Sequence, residues 1–330
     1  MSFVDSQPFT LFDRRAWRLH RERAARQGAV DFLHVEISQR LLGRLDHIDR
    51  RFPVVLDLGA HCGAVSGGLA SRLGVERIIV GDPAIGFLAP SRGIAVAADP
   101  ELLPFGRQCF DLAISALTLH WVADLPGALI QLRRALKPDG LLLAALFGGT
   151  TLGELHTALI EAELAEEGGV SPRISPTIDL ADAAALLQRA GFAMPVADAD
   201  TLTVTYPDML ALMRDLRGMG ETNALSARRR TVSRRATLAR AAAIYQQRCG
   251  LADGRIPATF EILFLTGWAP DESAEAAQTG GPRQRPADRT TRRTRALGPL
   301  RPGLVQRAID TDRQPHSRLD ISRGHRIYGV

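Results

Sequence analysis

The sequence contains few cysteines and no long apolar segment. Its three cysteines, Cys62, Cys109 and Cys249, have neither metal-site spacing nor the even number of a disulfide framework, which favours a reducing compartment. No apolar run approaches the roughly 20 residues that a membrane-spanning helix requires. Residues 1–26 lack the apolar segment of a secretory signal, and their acidic residues are atypical of a mitochondrial transit peptide. We therefore expect a cytoplasmic protein.

Several catalytic signatures are also missing. The sequence has no P-loop, no nucleophile elbow and no cluster of His, Asp or Glu with metal-ligand spacing. We therefore expect no metal site.

The positive charge of the chain is concentrated at its C-terminal end. The whole chain has a net charge of +5, but residues 274–330 contain 12 arginines and five acidic residues, which leaves the rest at −2. The charge of the chain is thus a poor indicator of nucleic-acid binding, and RNA binding by the tail alone would show a steep salt dependence. The tail lacks lysine and apolar periodicity and is predicted to be disordered. Translation in another reading frame would also produce such a composition.

An alternation of short apolar strands and helices follows an N-terminal helical segment, residues 1–50. This order predicts an α/β fold with a doubly wound, Rossmann-like parallel sheet in residues 51–147. Residues 148–273 are predicted to complete a seven-stranded mixed sheet and to add a helical lid, and residues 274–330 form the basic tail. The predicted strands of the parallel part are 54–56, 77–80, 94–98, 110–116 and 141–147.

A glycine turn and three acidic residues mark the ends of the first three strands. Asp57 precedes a turn bounded by Gly59 and Gly63, and Asp82 and Asp99 end the next two strands. Because parallel strands end at one edge of a sheet, these groups predict a site for an adenosine-containing cofactor. The alternative is that they merely cap helices and form turns.

The spacing of the turn favours one cofactor over another. A dinucleotide site would carry G-x-G-x-x-G, but here Gly59 and Gly63 are four residues apart and His61 occupies the intervening position. Asp57 suits an ammonium group, Asp82 ribose hydroxyls and Asp99 an adenine amino group. A ligand with these groups and no pyrophosphate is S-adenosylmethionine.

These residues resemble those of class I S-adenosylmethionine-dependent methyltransferases, including the biotin-pathway malonyl-carrier-protein methyltransferase. The resemblance implies cofactor contacts at the glycine turn, at the two acidic strand ends and after the fourth strand. These positions are Asp57, Gly59, His61, Gly63, Asp82, Asp99 and Leu117. Glycine is usual in both families at the position of His61, where a positive φ would strain histidine.

A second resemblance covers most of residues 11–273 and is to the complex I assembly factor 5 family. Its markers are Phe12-Asp13-Arg14, Leu119-His120-Trp121-Val122, Ser171-Pro172-Arg173-Ile174-Ser175-Pro176 and Gly218-Met219-Gly220-Glu221. The described role of that family is hydroxylation of an arginine in a complex I subunit. The resemblance implies a protein substrate and a location in the cytoplasm, or at the matrix side of the inner membrane in a eukaryote.

Three residues are candidates for catalysis. His120 follows the fourth strand, where it could act as a general base or only shape the pocket. Glu154 and Glu221, with Asn223, could hold a guanidinium, or act as ordinary surface and capping groups. We expect a methyltransferase-like enzyme that modifies a protein partner in complex I assembly. The alternatives are an arginine hydroxylase on the same fold and a non-catalytic assembly chaperone.

Overall fold

The computed structural model describes residues 10–271, together with residues 318 and 319. Eight strands and eight α-helices form its regular structure. The strands are β1 (Val54–Leu58), β2 (Arg77–Asp82), β3 (Ile94–Ala97), β4 (Phe110–Ala116), β5 (Leu136–Phe147), β6 (Ala193–Tyr206), β7 (Ile256–Trp268) and β8 (Arg318–Leu319). The helices are α1 (Arg14–Gln27), α2 (Phe32–Arg44), α3 (Ala64–Leu69), α4 (Leu125–Ala135), α5 (Gly153–Glu167), α6 (Leu180–Arg189), α7 (Met209–Met219) and α8 (Arg235–Cys249).

The strands form one mixed sheet in the order β3-β2-β1-β4-β5-β7-β6-β8. Strands β1 to β5 are parallel, and β7 lies antiparallel between β5 and β6. This topology confirms the predicted doubly wound, seven-stranded sheet, to which the two-residue β8 adds a parallel edge beside β6. Apart from β8, the predicted disorder of the tail concerns residues outside the described part of the chain.

Apolar side chains cover both faces of the sheet, as the sequence of β5 requires. Residues 140–147 are all buried, because helices pack on both sides of this central strand. One face carries a core shared with α2, α3, α5, α7 and α8, and the opposite face carries a core shared with α4 and α6. Within the described residues, no helix is long and apolar enough to span a membrane.

Helix α1 lies at the edge of the sheet where the parallel strands end. Asp13 caps it by accepting a hydrogen bond from the backbone N–H of Ala16 at 3.0 Å. Trp17 is buried beside Trp121, which follows β4, and Ala24 packs near Phe87, which follows β2. The N-terminal helical segment therefore contacts the edge at which the cofactor was predicted to bind.

Candidate functional site

The turn after β1 is as tight as its glycines suggest. Gly59 has φ +86°, and its N–H donates to the carbonyl of Gly81 at 2.7 Å. A Cβ at Gly59 would lie 1.8 Å from the hydroxyl oxygen of Thr118, so no larger residue fits. Gly63 has φ +76°, and a Cβ there would lie 3.1 Å from the Cα of Ser91. Both glycines allow neighbouring protein segments to approach closely.

Asp57 lies at the end of β1 and is fully buried. One carboxyl oxygen accepts a hydrogen bond from the N–H of Ser66 at 3.0 Å, and the other has no partner. Burial, with the nearby Asp82 as a lesser cause, raises the pKa of Asp57 to about 7. The unpartnered oxygen is what a site for a cationic group requires.

His61 occupies the turn as a buried, stacked ring. Its φ of +46° confirms the left-handed conformation that was expected to strain a histidine. The ring stacks on His34 at 3.6 Å and on Phe87 at 4.2 Å, and its Nε2 lies 3.0 Å from the carbonyl of Met219. Burial and the charge of Arg21 lower the pKa of His61 to about 3, so the ring is neutral.

Asp82 is held in a buried ion pair with Arg21 of α1. Nη2 of Arg21 donates to one carboxyl oxygen at 2.6 Å and its Nε donates to the other at 3.3 Å. Neither side chain is exposed. The carboxylate also accepts from the N–H groups of Ala84 and His61, at 2.9 and 3.3 Å. Asp82 therefore already has the donors that ribose hydroxyls would otherwise supply.

Asp99 is paired in the same way with Arg14, the first residue of α1. Nε and Nη2 of Arg14 each donate to a different carboxyl oxygen of Asp99. Nη1 of the same guanidinium donates to the carbonyl of Trp121 at 2.6 Å. Asp99 remains partly open, with 39% of its side chain exposed.

In this arrangement Asp82 and Asp99, two of the predicted cofactor residues, are not free to bind S-adenosylmethionine. Arg21 and Arg14 bind the two carboxylates assigned to ribose and adenine, and Asp57 alone keeps a partnerless oxygen. Of the seven predicted positions, Asp99 is the one that is not buried. The buried ones are Asp57, Gly59, His61, Gly63, Asp82 and Leu117.

A cavity of about 250 Å³ lies beside this edge, between the strand ends and the added helices. His120 and Glu221 line it together, as do Phe147 and Phe260, and most of its other lining residues come from α5, α7 and the loop 173–177. Nε2 of His120 lies 3.1 Å from Oε2 of Glu221, and Nε1 of Trp121 donates to the same oxygen at 2.8 Å. Oε1 of Glu221 and Nδ1 of His120 are buried and have no partner.

Glu154 is not part of this cavity wall. It lies in the first turn of α5, where its carboxylate accepts hydrogen bonds from the backbone N–H and the hydroxyl of Thr259 on β7. The structure therefore brings together two of the three predicted catalytic residues, and Glu154 ties α5 to the sheet. Asn223 does line the cavity, and its side-chain amide donates to the carbonyl of Pro172.

Sequence reasoning missed the roles of Arg14, Arg21 and Trp121. Arg14 and Arg21 are seven residues apart, which places both on one face of a helix, and this spacing was a usable signal. Their acidic partners, however, are 85 and 61 residues away in the chain. No local pattern in the sequence indicates such pairing.

The sheet order and the glycine turn define a class I methyltransferase domain. A family model described as "Methyltransferase domain" matches residues 56–144. Curated relatives extend the similarity well beyond that core. "Arginine-hydroxylase NDUFAF5, mitochondrial" of Homo sapiens is 43% identical over 82% of this chain and 80% of that protein. The Danio rerio protein of the same name is 40% identical over 84% of this chain and 89% of its own length.

The chain belongs to the NDUFAF5 family of methyltransferase-like proteins. It is also similar to a "Malonyl-[acyl-carrier protein] O-methyltransferase" of Xylella fastidiosa (strain M23), at 37% identity over 79% of this chain and 89% of that protein. Both resemblances seen in the sequence are therefore confirmed.

Proposed function

We propose that this chain modifies an arginine side chain of a protein partner, a subunit of respiratory complex I or of its bacterial equivalent. The single observation that carries this proposal is the carboxylate of Glu221 in the cavity wall, with its Oε1 buried and unpartnered. A guanidinium would supply both the charge and the N–H donor that this oxygen lacks. The names of the NDUFAF5 relatives describe the same chemistry.

The walls of the cavity suit the rest of an arginine side chain. Phe147, Phe260 and Met213 offer apolar surface for its aliphatic stem. The Glu221 carboxylate is already fixed by Trp121 and His120, so little reorganisation would accompany binding.

His120 is suited to accept a proton from the substrate. When its Nε2–H donates to Glu221, the Nδ1 atom carries a lone pair, and that atom has no protein partner. Methylation of a guanidinium nitrogen would release one of its protons, which Nδ1 of His120 could accept, whereas hydroxylation inserts an oxygen atom from a separate oxidant into an existing bond and releases no net proton. For methylation we assign His120 as the base, and for either reaction we assign Glu221 as the binding carboxylate.

The relatives named as malonyl carrier-protein methyltransferases suggest a carboxylate substrate instead. Arg217 also lines the cavity and would be the natural partner for such a group, whereas Arg173 is bound to Glu163 and Ser233. Separate substitutions of Glu221 and of Arg217 therefore distinguish a cationic substrate from an anionic one.

We propose S-adenosylmethionine as the cofactor on the strength of the methyltransferase family. Two of the three carboxylates predicted to bind it, Asp82 and Asp99, are paired with arginines. Within the described part of the chain, no three His, Cys, Asp or Glu side chains form a group that could hold a metal. We also propose that the protein works in the cytoplasm, or in the matrix of a eukaryote, where a complex I subunit is accessible before assembly.

Mass spectrometry of complex I subunits, in cells with and without the protein, tests this function. We expect one arginine-containing peptide to be heavier when the protein is present, by one methyl group for methylation or by one oxygen for hydroxylation. Identical masses for every subunit would contradict the enzymatic function. The second candidate is a non-catalytic assembly chaperone, which the buried Arg21–Asp82 pair favours. It predicts identical subunit masses together with a defect in complex I assembly.

A further inference from the structure

Two arginines of α1 bind the same carboxylates that a cofactor would use. Arg21 pairs with Asp82 at the end of β2, and Arg14 pairs with Asp99 just after β3. A guanidinium and the hydroxyl or amino groups of an adenosine are all hydrogen-bond donors, so they compete for the same oxygens. Neither carboxylate can serve both partners in full.

The fit of Arg21 is close enough to exclude a ligand from its position. The side chain is entirely buried, and its guanidinium carbon lies 5.0 Å from the Phe87 ring centroid and 5.6 Å from that of Trp17. Next to it, Glu22 accepts a hydrogen bond at 2.5 Å from the N–H of Ile85, in the segment that follows β2. Helix α1 is therefore fastened along the strand ends by several contacts.

We propose that Arg21, assisted by Arg14, determines cofactor binding, because α1 must move away before Asp82 and Asp99 can accept hydrogen bonds from S-adenosylmethionine. This inference rests on the cofactor that the proposed function names. We call the arrangement with α1 moved away open. A ligand that binds only the open arrangement has an apparent affinity equal to its intrinsic affinity multiplied by the fraction of molecules that are open. Weakening the arginine contacts raises that fraction and tightens binding.

Titration calorimetry with S-adenosylmethionine on the full chain tests this inference. The variants are Arg21→Gln, Arg14→Gln and the control Arg18→Gln, which removes the same charge from an exposed position of the same helix. We expect R21Q to bind about tenfold or more tightly than the unmodified protein, within the usual range of conformational coupling. R14Q should show a smaller gain, because its ion pair is partly exposed, and R18Q should show none.

Hydrogen exchange measured with and without S-adenosylmethionine gives a second readout. We expect the ligand to speed the exchange of amides 14–27 in the unmodified protein, because bound cofactor displaces α1. Protection of these amides, with R21Q binding no more tightly, would overturn the proposal and make α1 a cover over the bound cofactor. If R21Q does not fold because Asp82 is left buried and unpaired, R14Q and the exchange data decide the question.

The two proposals fail in different ways. Tight binding by the unmodified protein and by R21Q alike overturns the role of Arg21 and leaves the proposed function intact. Absence of binding by every variant overturns both the role of Arg21 and the choice of cofactor. The modification of a complex I arginine is decided separately by mass spectrometry.

Discussion

At the scale of single residues, the pH dependence of stability depends on a few buried ionisable groups. Asp57 has its pKa raised to about 7, above the value near 4 expected in the unfolded chain. The folded state therefore binds more protons than the unfolded state, and Asp57 contributes less stability as the pH rises from about 4 to about 7. Above that range the carboxylate is buried with its charge.

We predict that Asp57→Asn removes this loss of stability. An Asn oxygen can still accept from the N–H of Ser66, whereas the charge is gone. In urea unfolding, the free energy of unfolding of D57N relative to that of the unmodified protein should increase by a few kcal/mol between about pH 4 and 7. This is on the order expected for such a pKa shift. The control Asp46→Asn changes an exposed carboxylate. A constant difference between D57N and the unmodified protein across this range would show that Asp57 is ionised in the fold throughout.

The stacked histidines have the opposite pH dependence. Burial lowers the pKa of His34 and that of His61 below the ordinary value of 6.5. Both rings are neutral in the fold and protonate in the unfolded chain, so they contribute less stability as the pH falls below about 6.5. This loss is complete for His61 near pH 3, where its folded form also protonates.

We predict that His34→Phe reduces the acid sensitivity of the protein. Phenylalanine keeps an aromatic ring against His61 and removes one buried titratable group. The free energy of unfolding, measured from pH 7 down to about 4, should fall less steeply in the variant. The exposed His47, replaced by Phe, is the control. Equal slopes for H34F and the unmodified protein would mean that His34 binds a proton in the fold as readily as in the unfolded chain.

At the scale of secondary-structure elements, α1 depends on its capping residue. Asp13 accepts from the N–H of Ala16 at 3.0 Å and from Arg228 at 2.9 Å. We predict that Asp13→Ala costs about 1 kcal/mol of stability, in line with other lost N-caps. It should also speed amide exchange in the first turn of α1. The control is Asp179→Ala, because Asp179 caps α6 from an exposed position. Unchanged exchange in α1 of D13A would show that tertiary contacts alone hold the helix.

The elements themselves were largely predictable from the sequence, because apolar periodicity depends on nearby residues. The predicted range of β4, residues 110–116, is the observed one. Strand β5 begins at Leu136, earlier than its predicted start at residue 141, because Leu136 pairs with Phe110 across a register shift. Such pairing depends on a distant strand, and the sequence alone does not show it.

The candidate site was predictable only in part, for the same reason. Strand ends place Asp57, Asp82 and Asp99 at one edge, so their positions follow from the predicted topology. Their partners do not follow from it. The contact between Arg21 and Asp82 depends on how α1 packs over the finished sheet, and the sequence-based assignment of Asp82 to ribose could not include it.

At the scale of the whole molecule, two sites share the carboxyl edge of the sheet. The acidic residues at the strand ends lie under α1. The cavity with Glu221 lies between the same edge and the added helices. Trp121 connects them, because its carbonyl accepts from Arg14 and its indole N–H donates to Glu221. Movement of α1 would therefore also affect the carboxylate that is proposed to hold the substrate.

The most direct test of the central claim compares Glu221→Gln with Arg217→Gln in cells that lack the native protein. Mass spectrometry then follows, over time, the modified fraction of the arginine-containing peptide of the complex I subunit, which gives the rate of modification. We predict that E221Q lowers the rate of modification about 10- to 100-fold, as expected for the loss of a hydrogen bond between charged groups, and that R217Q retains it. Full modification with E221Q, together with loss in R217Q, would contradict the claim that this cavity binds a guanidinium.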